Sequence, residues 1–191
     1  MENGGPRPTR VYTRTGDEGE TGLVGGHRLR KASPRIQAFG DLDELGAHLG
    51  LVASTLDPQD DQLVPLLGRL QHELFIAQSE LAVAPGAAPP THRLGERHVR
   101  AAEEAIDRLS ADLDPVRSFV LPRGGRTGAE LHVARAVARR AERSVLALHA
   151  VEPVARDLRV WLNRVSDLLF VAALWANRRD GFAETPPDYT T

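Results

Sequence analysis

Cysteine is absent from the 191-residue chain. Disulfides, thiolate zinc sites, iron–sulfur clusters and a cysteine nucleophile are therefore excluded, and the composition fits a reducing cytoplasm, where the protein is expected to work. An excess of positive charge is missing too. Lys and Arg number 24 against 26 Asp and Glu, a formal net charge of -2. No global positive field exists to hold nucleic acid, so any basic site must be local. Long apolar runs are also lacking. The opening stretch has no apolar core of the kind a secretory signal carries. The longest run, Leu168 to Ala176, falls far short of the roughly 20 residues that span a bilayer. Neither nucleic acid nor membrane is an expected partner. Aromatics are scarce at 5%, so the core is expected to be aliphatic and helical. What remains, 41% hydrophobic and 26% charged, is ordinary for one soluble domain.

Residues 1–10 are polar with two prolines, Pro6 and Pro8, and are expected to be a flexible N-terminus. Between 11 and 33, Gly16, Gly19, Gly22, Gly25 and Gly26 alternate with threonine and charge, which suggests an ordered loop or short extended pieces. Asp41 and Glu44 have the spacing of a capping box. Leu42, Leu45, Leu49 and Val52 follow at helical spacing, predicting a helix over about 41–55. A second helix carries Leu63, Leu67, Leu70, Leu74 and Leu81, with Pro65 tolerable in its first turn. A third carries Val99, Ala102, Ile106 and Leu109. The fourth, about 127–149, repeats Leu131, Ala134, Ala138, Ala141, Val145 and Leu148, a seam whose alanines imply a close neighbour. The fifth is expected to begin at Pro153 and to carry Val154, Leu158, Leu162, Val165, Leu169 and Ala172. Residues 181–191 read as a disordered tail. Mostly short loops make an all-α, five-helix antiparallel bundle with a glycine-rich N-terminal segment the economical architecture, one domain over 11–180.

Polar constellations mark the chemistry. Arg135, Arg139 and Arg143 stand four residues apart, so one face of the fourth helix carries three guanidiniums, with Arg140 beside them. Like charges at this spacing repel by about 0.2–0.5 kcal/mol per pair. The stripe makes sense under a bound anion, since guanidinium forks fit phosphate oxygens; a solvated basic face met by carboxylates from a neighbouring helix is the plainer alternative. Thr13, Arg14, Thr15, Gly16, Thr21 and Gly22, with Lys31 nearby, form a segment whose amides and hydroxyls could also meet an anion. It matches neither G-x-x-x-x-G-K-[ST] nor G-x-G-x-x-G, and a glycine-rich surface loop explains it equally. Asn163, Asp167 and Phe170 share a face beside the apolar stripe of the fifth helix, where polar groups need partners. Phe119-Val-Leu-Pro122 is an apolar plug ahead of the arginine helix. No histidine pair has metal-ligand spacing, and a metal site is left unassigned.

Five motifs together, Val-Tyr-Thr-Arg-Thr-Gly-Asp (11–17), Phe-Gly-x-x-Asp-Glu-Leu (39–45), Phe-Val-Leu-Pro (119–122), Leu-His-Val-Ala-Arg-x-x-x-Arg-Arg-Ala-Glu-Arg (131–143) and Leu-Asn-Arg-Val-Ser-Asp-x-Leu-Phe (162–170), resemble the ATP:cob(I)alamin adenosyltransferases of the propanediol-utilisation type. The resemblance implies a homotrimer with active sites between subunits. It implies transfer of the 5′-deoxyadenosyl group from ATP to the cobalt of cob(I)alamin, giving adenosylcobalamin and triphosphate, with Mg2+ assisting. Thr13, Arg14, Thr15, Gly16, Thr21, Gly22 and Lys31 would line the ATP site. Arg139, Arg140, Glu142, Arg143 and Asn163 would complete it. Phe119 would keep the lower face of cobalt free of its base. Arg135 and Asp43 would form a salt bridge across the subunit interface. A reductase and an adenosylcobalamin-dependent enzyme are the further expected partners. The sequence departs from the family pattern in three places: Arg14 where lysine is common, Gly22 where a small hydroxyl residue is frequent, and Arg123 where Ser or Gly is usual.

Overall fold

The computed structural model describes residues 12–60, 62–115 and 118–190, so the expected flexible segment 1–10 lies outside it. Five helices follow a small antiparallel hairpin: β1 (Glu20–Gly22), β2 (Arg28–Arg30), α1 (Pro34–Ala53), α2 (Leu63–Ala82), α3 (Glu96–Ser110), α4 (Arg126–Val151) and α5 (Arg156–Arg179). Neighbouring helices run α2–α1–α4–α5–α3, which places α4 between α1 and α5. Ala134, Ala138 and Ala141 are fully buried along that seam, where a small side chain lets two backbones approach. Leucines from α1 and α2 and the fully buried Trp161 fill the interior. No helix among the described residues is long and apolar enough to cross a membrane.

Polar ties fix the alternation of direction. At one end, Arg35 of α1 donates to the carbonyls of Leu81 (2.5 Å) and Val83 (3.0 Å) after α2, and pairs with Glu152 at the end of α4. The hairpin sits at this end, with Val24 and Ala82 joined by a 2.9 Å backbone bond. At the other end the Thr55 and Thr127 hydroxyls meet at 3.1 Å, and Gly125 N–H donates to Asn177 Oδ1 at 3.1 Å. The interior also holds one polar pair that leucine spacing could not reveal. Trp161 Nε1 donates to the buried carboxylate of Glu73 at 2.8 Å, which satisfies both groups away from water.

Three boundaries differ from the sequence reading. Helix α1 begins at Pro34, with Ser33 as N-cap, rather than at Asp41. Asp41 is buried in mid-helix, where it accepts from Ser144 and faces Arg140 Nε at 3.5 Å. The D-x-x-E spacing of a capping box is also the spacing of two carboxylates on one helix face, and here the second meaning holds. Helix α5 begins at Arg156 rather than Pro153, because Val154 N–H is taken by His149 Nδ1 at 3.1 Å in the preceding bend. The closing segment, expected to be disordered, lies against the α3–α4 connection. Leu121 N–H donates to the Thr185 carbonyl at 2.8 Å, and Phe182 N–H to the Asn177 carbonyl at 2.8 Å. Asn177, almost wholly buried, needs partners for its amide and finds them in Arg123 O and Glu184.

Gly128, on α4, must stay without a side chain for the same reason. A Cβ there would run into the carboxamide of Asn177, whose bonds leave it nowhere to move. Gly128→Ala is expected to destabilise the fold by roughly 1–3 kcal/mol, as overpacking does. Urea unfolding checks it, and an unchanged midpoint would show that Asn177 can swing away.

Candidate functional site

Opposite ends of the bundle carry different chemistry. At the hairpin end, Arg14 is the one described non-glycine residue with positive φ (60°), a conformation that costs roughly 1–2 kcal/mol outside glycine. Its guanidinium lies over the Tyr12 ring, 5.6 Å from the centroid. Thr13 and Thr15 join hydroxyls at 2.8 Å, and Arg28 donates to the Thr15 carbonyl at 2.6 Å. The Lys31 ammonium folds over Gly16, so near that a Cβ there would stand 3.2 Å from Nζ. Thr21 pairs with Leu29 and Gly22 with Arg28 in the hairpin. Thr13, Arg14, Thr15, Gly16, Thr21, Gly22 and Lys31 thus share one compact, mostly exposed surface. No hydrogen bond or ion pair joins it to α4 among the described residues.

Along α4 the arginines divide. Arg140 pairs with Glu44 and faces Asp41, and the Glu44 bond is the main reason its pKa is raised. This is the neighbouring-helix pairing that the sequence left open. Arg143 donates to the Arg139 carbonyl at 3.0 Å. The exposed Arg139 guanidinium has no carboxylate partner among the described residues. Arg135 is half-buried, with an Nε that meets no acceptor. Burial, and next the charge of Arg139, lower its pKa. Within the chain, Asp43 accepts from Gln78 at 3.2 Å. A groove of about 510 Å³ along this face is lined by Glu44, His48, Arg135, Arg140 and Arg143.

Asn163 reaches α4 by a route the sequence did not show. Its Nδ2 donates to Glu142 at 2.9 Å, and its Oδ1 accepts from Arg164, which also holds Glu103 at 2.8 Å. One continuous set of bonds therefore ties α3 to α5 and α5 to α4. It fixes Glu142 beside the arginine stripe.

Phe119 stands at the far end, 82% exposed on the connection before α4. It lines a cavity of about 770 Å³ with His132, Arg135, Phe170, Pro187 and Tyr189. An exposed aromatic beside an apolar hollow is what a large flat ligand requires. His132 went unassigned in the sequence because a lone histidine on an apolar helix face carries no pattern. It is 3% exposed, its ring lies 6.1 Å from that of Phe170, and neither nitrogen has a hydrogen-bond partner. Among the described residues no three His, Asp or Glu side chains gather as a metal site.

A family model described as cobalamin adenosyltransferase matches residues 11–176. The chain belongs to that family, and its relatives and structural neighbours place it with the PduO type. It is 38% identical over 177 residues to a corrinoid adenosyltransferase of Bacillus subtilis, covering 92% of this chain and 90% of that one. It is 41% identical over 177 residues to a cobalamin adenosyltransferase of Cupriavidus metallidurans, covering 93% of each. A phenylalanine-to-alanine variant of a PduO-type ATP:corrinoid adenosyltransferase from Lactobacillus reuteri, solved with cobalamin and ATP, superposes with a TM-score of 0.87 at 31% identity. That match covers 93% of this chain and 99% of the other.

Burial, and second the Arg135 charge, push the His132 imidazole down to about 4. The unfolded chain takes up this proton near 6.5. Between these values the unfolded state alone is protonated, so stability falls as pH drops from 6.5 toward 4, by up to about 1.4 kcal/mol per pH unit, and is level above 6.5. His132→Leu is expected to remove this share of the slope in urea titrations at pH 4.5 and 7. An equal slope in both proteins would deny the depressed value.

Proposed function

We infer that the chain is an ATP:corrinoid adenosyltransferase, moving the 5′-deoxyadenosyl group of ATP onto the cobalt of cob(I)alamin. The new bond joins cobalt to C5′. The C5′–oxygen bond breaks, triphosphate departs with its electrons, and Co(I) gives up two electrons to become Co(III). Co(I) is itself a strong nucleophile, so the protein need only place C5′ in line with it, which is proximity catalysis, and steady the charge that gathers on triphosphate.

The supporting observation is Arg139, an exposed cation with no carboxylate partner among the described residues, in the middle of a cationic stripe. Arg139 and Arg143, with Arg140 once it shares Glu44 and Asp41, grip the triphosphate. Glu142, fixed by Asn163, holds a carboxylate beside the stripe. Thr13, Arg14, Thr15, Gly16, Thr21, Gly22 and Lys31 supply amides, hydroxyls and an ammonium from the hairpin end. Arg139 lies about 18 Å from the end of α4 that adjoins the hairpin, counted at the helical rise. One chain therefore offers its two phosphate-binding surfaces apart, and a homotrimer brings the hairpin of one subunit to the α4 face of the next. The Arg135 guanidinium then pairs with Asp43 of the neighbouring subunit. With no ready-made protein cage, Mg2+ would arrive on the triphosphate and keep most of its waters, adding its charge to the arginines.

Phe119 closes the cavity beneath the corrin. Its ring excludes both the lower base and water, which leaves cob(II)alamin four-coordinate and easier to reduce. A reductase supplies that electron, and an adenosylcobalamin-dependent enzyme receives the product.

Arg139→Ala is expected to lower kcat/KM for ATP by about 10²-fold. Phe119→Ala should be far worse with cob(II)alamin and a reductant than with chemically prepared cob(I)alamin. Equal losses in the two assays would refute the role given to Phe119. Asp43→Arg and Arg135→Asp should each weaken the trimer in sedimentation and recover together; failure of the double variant to recover would remove that pair from the interface.

A further inference from the structure

His132 is a buried polar side chain with two unpaired ring nitrogens, where Ser33, Glu130, Arg135, Arg159 and Glu184 each leave a single buried atom unpaired. Trp161, Glu73, Asn177 and Asp41 all have partners, whereas both ring nitrogens of His132 have none. A neutral imidazole carries one N–H donor and one acceptor nitrogen. Leaving such groups dry and unpaired costs about 1–3 kcal/mol. The ring lines both the Phe119 cavity and the arginine groove, so it stands where the two meet. Phe170 covers one side, and the half-buried Arg135, one turn on, supplies no acceptor. The ring bond is a broad torsion, so the imidazole can reorient without moving the backbone.

We propose that His132 is a substrate-binding residue that takes up a peripheral carboxamide of the corrinoid. This rests on the function proposed above. A primary amide can answer either nitrogen of a neutral imidazole, since its oxygen accepts the ring N–H in one pose and its NH2 donates to the bare nitrogen in the other. Corrin rings carry such amides around their edge. The depressed imidazole pKa keeps His132 uncharged at neutral pH, so the donor–acceptor pair persists beside the arginines. The residue is thus poorly placed for the stability of the empty protein and well placed for a ligand.

The test compares His132→Leu and His132→Asn with the parent enzyme. His132→Leu should raise the KM for cob(I)alamin about tenfold, the loss of one such bond. The dissociation constant for ATP should stay within twofold, and the melting temperature of the empty protein should not fall. His132→Asn, which keeps a donor and an acceptor, should recover to within threefold of the parent. Cobinamide, which keeps the ring amides and lacks the lower base, should show the same tenfold effect. An unchanged corrinoid KM in an active His132→Leu enzyme overturns the assignment, and so does an effect confined to cobalamin. A lowered melting temperature or a broken assembly in His132→Leu would instead give the imidazole a structural partner and also overturn it. Absence of adenosylation by the parent enzyme itself would refute the proposed function, a separate result.

Discussion

The close approach of α4 to α1 and α5 is the constraint on which the other features depend. Ala134, Ala138 and Ala141 let the helix sink between its neighbours. A helix packed on two sides has only a narrow face left for charge, and Arg135, Arg139 and Arg143 occupy it together. Dispersing them would bury a guanidinium, which is far costlier than the mutual repulsion they suffer at the surface. The cationic stripe is thus a product of packing as much as of recognition. Its carboxylate neighbours settle which of its members stays free. Arg140 meets Glu44 and Asp41 of α1; Arg139 meets no carboxylate among the described residues.

Much of this architecture could be read from residue spacing. All five helices have apolar repeats that set their faces, and Pro65 sits in the first turn of α2 as its chemistry requires. The start of α1 could not be read correctly. Asp41 and Glu44 carry a pattern with two physical meanings, and only the position of Arg140 across the helix interface distinguishes them. The placement of the closing segment was equally hidden, because it depends on one buried amide, Asn177, reaching across three elements. Hydrogen-bond demand of that kind leaves no periodic trace.

The site shows the same division. The arginine stripe was legible in the four-residue spacing of Arg135, Arg139 and Arg143, whereas Phe119 read only as an apolar plug and took its role from the resemblance. His132 was not legible, since a histidine among alanines and leucines reads as filling. Only its burial and its empty nitrogens distinguish it. Asn163 was expected only to need a partner, and it holds Glu142, so the fifth helix positions an acid beside the arginine stripe.

The distance between the two ends of the bundle has a genetic consequence. If each working site draws its hairpin from one subunit and its arginines from another, a lesion at either end disables every site of a uniform trimer. Two alleles damaged at opposite ends, expressed in the same cell, would build mixed particles in which some junctions pair two intact surfaces. Such strains would regain part of the lost activity without either gene being repaired, whereas two alleles damaged at the same end would not.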